Sequence, residues 1–277
     1  MKTFYERNEL GFAIMWIVVY CVLMSLGDNL SAQVGIRSIA TLPIAFLLCF
    51  TLFMFLKNNF MLKKYGLIKP TIDNKKMLYY IPLFSILLVN VFYGVGIYYS
   101  FIEIVLYVST MLCVGFLEEI IFRGLLFNAL KKDNINSAII ISSLTFGMGH
   151  IINLFNGKEA ELLPQILQVI YASAAGLVFV MVYMTCESLL PVIFTHGVFN
   201  ALSIFGNSKL TDFQSILLAA LMSIVCFGYA FYLYKLYNYE NEQEKTSLWS
   251  LFSLSKKVYN EFISRWMLWI ISYIQVI

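Results

Sequence analysis

The stretch Met111-Leu-Cys-Val-Gly-Phe-Leu-Glu118-Glu119-Ile-Ile-Phe-Arg123-Gly-Leu-Leu-Phe127 sets three ionised side chains inside an otherwise apolar helix-length run. A charged side chain near the centre of a bilayer costs about 2.5–3.5 kcal/mol on the most lenient scale. Glu118, Glu119 and Arg123 together therefore require compensation, and in membrane helices the usual reason is function. Working outward, the rest of the chain has the same character. Of its 277 residues 60% are hydrophobic and 13% charged, against about 25% charged in soluble domains. Its mean hydropathy is +0.79. Apolar runs recur along nearly the whole length, which implies an integral membrane protein and not a soluble domain on one anchor.

A spanning helix needs ~20 mostly apolar residues. By that measure the sequence predicts an all-α, polytopic membrane helical bundle of about eight transmembrane helices. The predicted spans are Glu9–Leu26, Ser38–Leu56, Met77–Gly96, Tyr98–Leu130, Ser137–Phe155, Leu163–Thr185, Leu189–Gly206 and Thr211–Tyr237. A further apolar segment, Tyr259–Ile277, carries Glu261, Arg265, Trp266 and Trp269 near its start, as an interfacial helix or a ninth span would. The first apolar run lacks the clean positive flank and small-residue cleavage site of a signal peptide, and Glu6 and Glu9 mix its charge, so it is read as the first span. Three segments follow: N-terminal helices with a basic loop over 1–97, a core over 98–237, and a charged linker with a C-terminal helix over 238–277.

Lysine placement gives an orientation. Lys57, Lys63, Lys64, Lys69, Lys75 and Lys76 separate the second and third spans, Lys131 and Lys132 follow the fourth, and Lys235, Lys245, Lys256 and Lys257 flank the end of the eighth. The opposite loops hold Arg37, Lys158 and Lys209. The positive-inside rule then puts both termini in the cytoplasm. The net charge of +3 sits in these short loops, so nucleic acid is not an expected partner. The five cysteines lie inside apolar runs without paired spacing and read as small buried hydrophobes.

The chain has only two histidines, and both fall in apolar segments. His150 closes Leu144-Thr-Phe146-Gly-Met-Gly-His150, and His196 begins His196-Gly-Val-Phe-Asn200. Glu119 and Arg123 are four apart and can pair on one helix face. Glu118 is rotated from its neighbour by about 100° on a helix of 3.6 residues per turn, so it can face a cavity while Glu119 is held by the arginine. Burial raises a carboxylate's proton affinity, which suits a general base for water. His196 and Asn200, also four apart, can both donate to a developing oxyanion. Taken singly, each residue has a plain structural reading: an ion pair joining helices, a snorkelling glutamate, a satisfied core histidine. Their combination supplies the parts of acyl-bond hydrolysis.

In this order the motifs resemble those of the CAAX protease and bacteriocin-processing family of intramembrane proteases, whose members include the type II CAAX prenyl endopeptidases. The family's EExxxR, FxxxH and HxxxN correspond to Glu118-Glu119 with Arg123, Phe146 with His150, and His196 with Asn200. The similarity extends from about Tyr98 to Phe205 and takes in Ala174-Ala-Gly-Leu177 and Ser188-Leu-Leu-Pro191, while Cys186 and Glu187 stand where small or neutral residues are common.

The resemblance implies that Glu118 activates water with His150, that His196 and Asn200 stabilise the oxyanion, and that Glu119 and Arg123 hold the geometry. The expected protein is an intramembrane endopeptidase of a bacterial cell membrane. It would act near the cytoplasmic face on a peptide or membrane-associated protein presented in the lipid bilayer. A non-catalytic immunity or scaffold protein of the same fold is an alternative, and so is an ion-coupled transporter, although no inverted repeat is visible. One glutamate and two histidines (Glu118, His150 and His196) would also make a His₂Glu zinc site with an open position. HExxH is absent, and the resemblance equally admits metal-free, glutamate-dependent hydrolysis, which the sequence favours.

Overall fold

A computed structural model describes residues 1–70, 81–87, 94–151, 162–206 and 210–245. The fold is all-helical. A short α1 (Lys2–Arg7) leads into α2 (Glu9–Val34), and α3 spans Thr41–Asn58. A single helical turn, α4 (Ile81–Ser85), precedes α5 (Phe101–Glu118), which continues without a break as a π-helix over Glu119–Phe127 and closes with α6 (Asn128–Leu130). Then come α7 (Ile135–Gly149), α8 (Leu162–Cys186), α9 (Leu190–Leu202) with a 3₁₀ turn over Ser203–Phe205, and α10 (Asp212–Lys245). Met1–Tyr234 form one compact unit, and a second begins at Lys235, of which the helical residues through Lys245 are described.

Among the described residues five helices are long and apolar enough to cross a membrane: Glu9–Val34, Thr41–Asn58, Phe101–Leu130, Leu162–Cys186 and Asp212–Tyr239. They match five of the eight predicted spans, the first running eight residues further than expected. Among the described residues two more predicted spans hold shorter helices, with residues 152–155 of the first lying outside the described residues. The 15 residues of α7 rise only about 22 Å at 1.5 Å per residue, less than the ~30 Å hydrocarbon thickness. The same holds for α9 with its 3₁₀ turn. Half of the predicted span Met77–Gly96, and all of Tyr259–Ile277, lie outside the described residues.

Helices without water around them must satisfy their backbone internally, and their outer faces can stay apolar. Accordingly Phe46 and Leu47 on α3, Phe194 on α9 and Ile224 on α10 are exposed. Inside, small residues allow close approach. A Cβ on Gly115 of α5 would stand 2.6 Å from the Gly197 nitrogen of α9, and one on Gly147 of α7 would collide with Ser173 of α8. These contacts join α5 to α9 and α7 to α8, and α5, α7 and α9 carry motif residues.

Contacts between loops define two ends. At one end Glu9, at the start of α2, pairs with Lys64 after α3 (2.9 Å) and Lys132 after α6 (2.9 Å). Lys64 also donates to Tyr5. Burial works against the Lys64 ammonium, but its hydrogen bonds to Tyr5 and Glu9 together hold its pKa above the usual lysine value. At the other end Ser31 of α2 meets Thr41 of α3 (3.1 Å), the Arg37 amide donates to Glu103 of α5 (3.4 Å), and Tyr107 of α5 meets Ser203 beyond α9 (2.8 Å).

Candidate active site

The site forms where α5 gives way to the π-helix. Each turn of a π-helix holds more than four residues through i→i+5 bonds, and such turns are rare outside functional sites. Here all nine π residues, Glu119 to Phe127, are buried. Four residues make just under one π turn, so Glu119 and Arg123 remain on one face. The Asn128 amide, at the C-terminal end, donates to the Arg123 carbonyl (3.0 Å) and the Gly124 carbonyl (2.7 Å), covering acceptors that the altered bonding frees.

Arg123 and Glu119 are fully buried and paired, Nη1 to Oε1 at 3.0 Å. The guanidinium lies 4.1 Å from the centroid of Phe146 and 5.4 Å from that of Phe179, so aromatic faces supplement the single carboxylate. His196 sits between the two glutamates. Its Nδ1 is 2.7 Å from Glu119 Oε1, and its Nε2 is 3.3 Å from Glu118 Oε2. Glu118 Oε1 in turn accepts a 2.6 Å hydrogen bond from the Tyr20 hydroxyl of α2. The chain Arg123–Glu119–His196–Glu118–Tyr20 thus joins α2, α5, the π-helix and α9 through side chains.

Phe146 is the packing centre. Its ring meets Phe122, His150 and His196 edge-on, at centroid distances of 5.3, 5.4 and 5.6 Å. His150 caps the C-terminal end of α7, one turn beyond Phe146. A cavity of about 300 Å³ adjoins this cluster, with Glu118, Phe122, Phe146, His150 and Asn200 in its wall. Glu119, Arg123 and His196 are absent from that wall and lie behind it. The two adjacent glutamates therefore differ as their spacing suggests: Glu118 faces the cavity, and Glu119 is held behind it by Arg123 and His196.

All six residues singled out in the sequence are described. Glu118, Glu119, Arg123 and His196 form one bonded network. His150 joins them through Phe146, and Asn200 through the cavity wall. Tyr20 and Phe179 carry no motif signal and were not expected. Tyr20 lies 98 residues before its partner, and Phe179 looks like any apolar residue of α8 until its ring is seen at 5.3 Å from His196.

Among the described residues no three His, Cys, Asp or Glu side chains are arranged to hold a metal ion. Glu118 Oε1 is taken by Tyr20, His196 Nδ1 by Glu119, and His150 is packed against Phe146.

Residues 100–202 match the family model described as type II CAAX prenyl endopeptidase Rce1-like. The matched stretch begins at Ser100, the N-cap of α5, and ends with α9. A comparison with curated proteins found no match. All three motifs lie inside the matched stretch, so over residues 100–202 the chain is similar to the type II CAAX prenyl endopeptidases that this model describes.

Proposed function

We propose that the protein is an intramembrane endopeptidase that uses Glu118 to activate water against a peptide bond. The observation that carries this reading is the position of Glu118, buried to 7% exposure yet in the wall of a cavity large enough for a peptide segment. Glu118 takes a proton from water as the oxygen attacks the carbonyl carbon, with His150 on the same wall orienting that water. The carbonyl oxygen becomes an oxyanion. Asn200 donates its amide to it, and His196 donates through Nε2 while its Nδ1 is held at Glu119. Collapse breaks the C–N bond, and the proton held by Glu118 passes to the leaving amine.

Glu119 and Arg123 position His196 and do not touch the substrate. The Tyr20 hydroxyl fixes the Glu118 carboxylate through Oε1, while Oε2 lies 3.3 Å from His196 Nε2. The substrate class is a peptide or a membrane-associated protein whose scissile bond lies within reach of the bilayer. Removal of divalent metal has no place in this cycle, so activity measured after chelation should equal that before it.

The decisive test compares membrane and released peptides from cells carrying the native protein or Glu118→Ala. One or more products should disappear in the variant while insertion and abundance stay unchanged. General-base removal typically costs about 10²–10⁴-fold in rate. An identical peptide pattern in both strains would remove the protease reading and leave a non-catalytic immunity or scaffold protein of this fold.

A further inference from the structure

We infer that the cavity at Glu118 is entered from the end of the bundle opposite its lysine-rich end, so that the peptide cleaved is presented on the non-cytoplasmic side of the membrane. This rests on the reading of Glu118 as the base, and it reverses the side expected from the sequence.

The two ends differ sharply in charge. The end held together by Glu9, Lys64 and Lys132 also carries Lys2 and Arg7 on α1, Lys57 at the end of α3, Lys63 in the following loop, and Lys131. Among the described residues the end held together by Ser31–Thr41 and Arg37–Glu103 has Arg37 as its cation, beside the acids Asp28 and Glu103. Arg37 is itself engaged, stacking on Tyr99 at 4.4 Å and donating to its hydroxyl. Lysine and arginine in short loops near span ends set orientation, whereas acids contribute little. The lysine-rich end is therefore cytoplasmic.

The cavity runs toward the other end. From the buried Glu118 its wall passes along α5 to Met111 and Tyr107, along α2 to Met24 and Asp28, and along α9 to Ser203. Exposure rises along the same path: Glu118 and Met24 are buried, Tyr107 is intermediate, and Asp28 and Ser203 are exposed. The residues between Glu118 and the lysine-rich end, Glu119 to Phe127, are all buried and close that direction. A soluble cytoplasmic peptide would thus meet the packed π-helix, not the cavity. A peptide on the opposite side meets a mouth with the Tyr107 ring and the Asp28 carboxylate in its wall. Its apolar side chains would lie along Met24 and Met111 as its carbonyl reaches Glu118. The substrate class is an exported or membrane-anchored polypeptide with its cleavage site just inside the outer leaflet.

Cysteine labelling tests the side without needing the substrate. The five native cysteines are replaced by serine or alanine, and single cysteines are introduced as Ser203→Cys at the mouth and Lys132→Cys at the basic end. Intact cells are treated with a membrane-impermeant maleimide before or after permeabilisation. Ser203→Cys should label in intact cells, and Lys132→Cys only after permeabilisation. Asn29→Cys, exposed near the same mouth, replaces Ser203→Cys if that variant fails to accumulate. The reverse pattern, or equal labelling of both positions from one side, overturns the inference. The outcome is independent of the Glu118→Ala comparison: loss of the protease reading leaves the labelling pattern unchanged, and a reversed pattern leaves the loss of peptide products unchanged.

Discussion

The molecule contains two carboxylate–cation clusters of similar composition and opposite physics. At the cytoplasmic end proposed above, Glu9 pairs with Lys64 and Lys132, with the lysine side chains 43% and 56% exposed. In the centre, Glu119 pairs with Arg123 and His196, with both members of the Glu119–Arg123 pair fully buried. An exposed pair gains little because water screens it, typically about 0–1 kcal/mol. A buried pair has given up its hydration, and removing one partner strands the other, at about 3–5 kcal/mol. The same attraction is thus peripheral in one place and structurally required in the other. Around the central cluster the Phe146 and Phe179 faces lie against the guanidinium and His196 lies against Glu119.

Breaking the central cluster should have the largest effect. Arg123→Ala leaves the Glu119 carboxylate buried without its cation and should destabilise the protein by about 3–5 kcal/mol, read as lost folded protein on thermal unfolding in detergent. Arg123→Lys should not restore it, since an ammonium lacks the planar group that lies over Phe146 and Phe179. Full stability of either variant would show that the cluster is dispensable.

Tyr20→Phe removes one hydrogen bond to Glu118 and keeps the ring. Hydrogen bonds to charged groups are worth about 1.5–3 kcal/mol, so hydrolysis should slow by roughly ten- to a hundredfold. The unfolding temperature should move far less than with Arg123→Ala. A variant with wild-type rate would release Tyr20 from the site. The peripheral cluster provides the smallest effect. Glu9→Gln should change stability by less than about 1 kcal/mol, and that change should shrink further as salt is raised. An Arg123→Ala effect that shrank equally with salt would contradict the contrast between the two clusters.

Much of the candidate site was legible before any coordinates. Glu118, Glu119 and Arg123 stand out because charge inside an apolar run is costly, and His150 and His196 stand out because the chain has no other histidines. The division between a cavity-facing and an arginine-tied glutamate also follows from adjacent positions on a helix. Tyr20 was not legible, since a tyrosine in an apolar helix most often marks an interface.

By itself the sequence determined that this chain is a helical membrane protein with a charged constellation in its core, since hydropathy and the cost of buried charge are local properties. Only the tertiary structure decided how the constellation is wired. The π turn, the glycine contact between α5 and α9 and the reach of Tyr20 bring His196 between two glutamates and open the cavity toward one end. These depend on which faces of distant helices meet, and no spacing along a single helix specifies that.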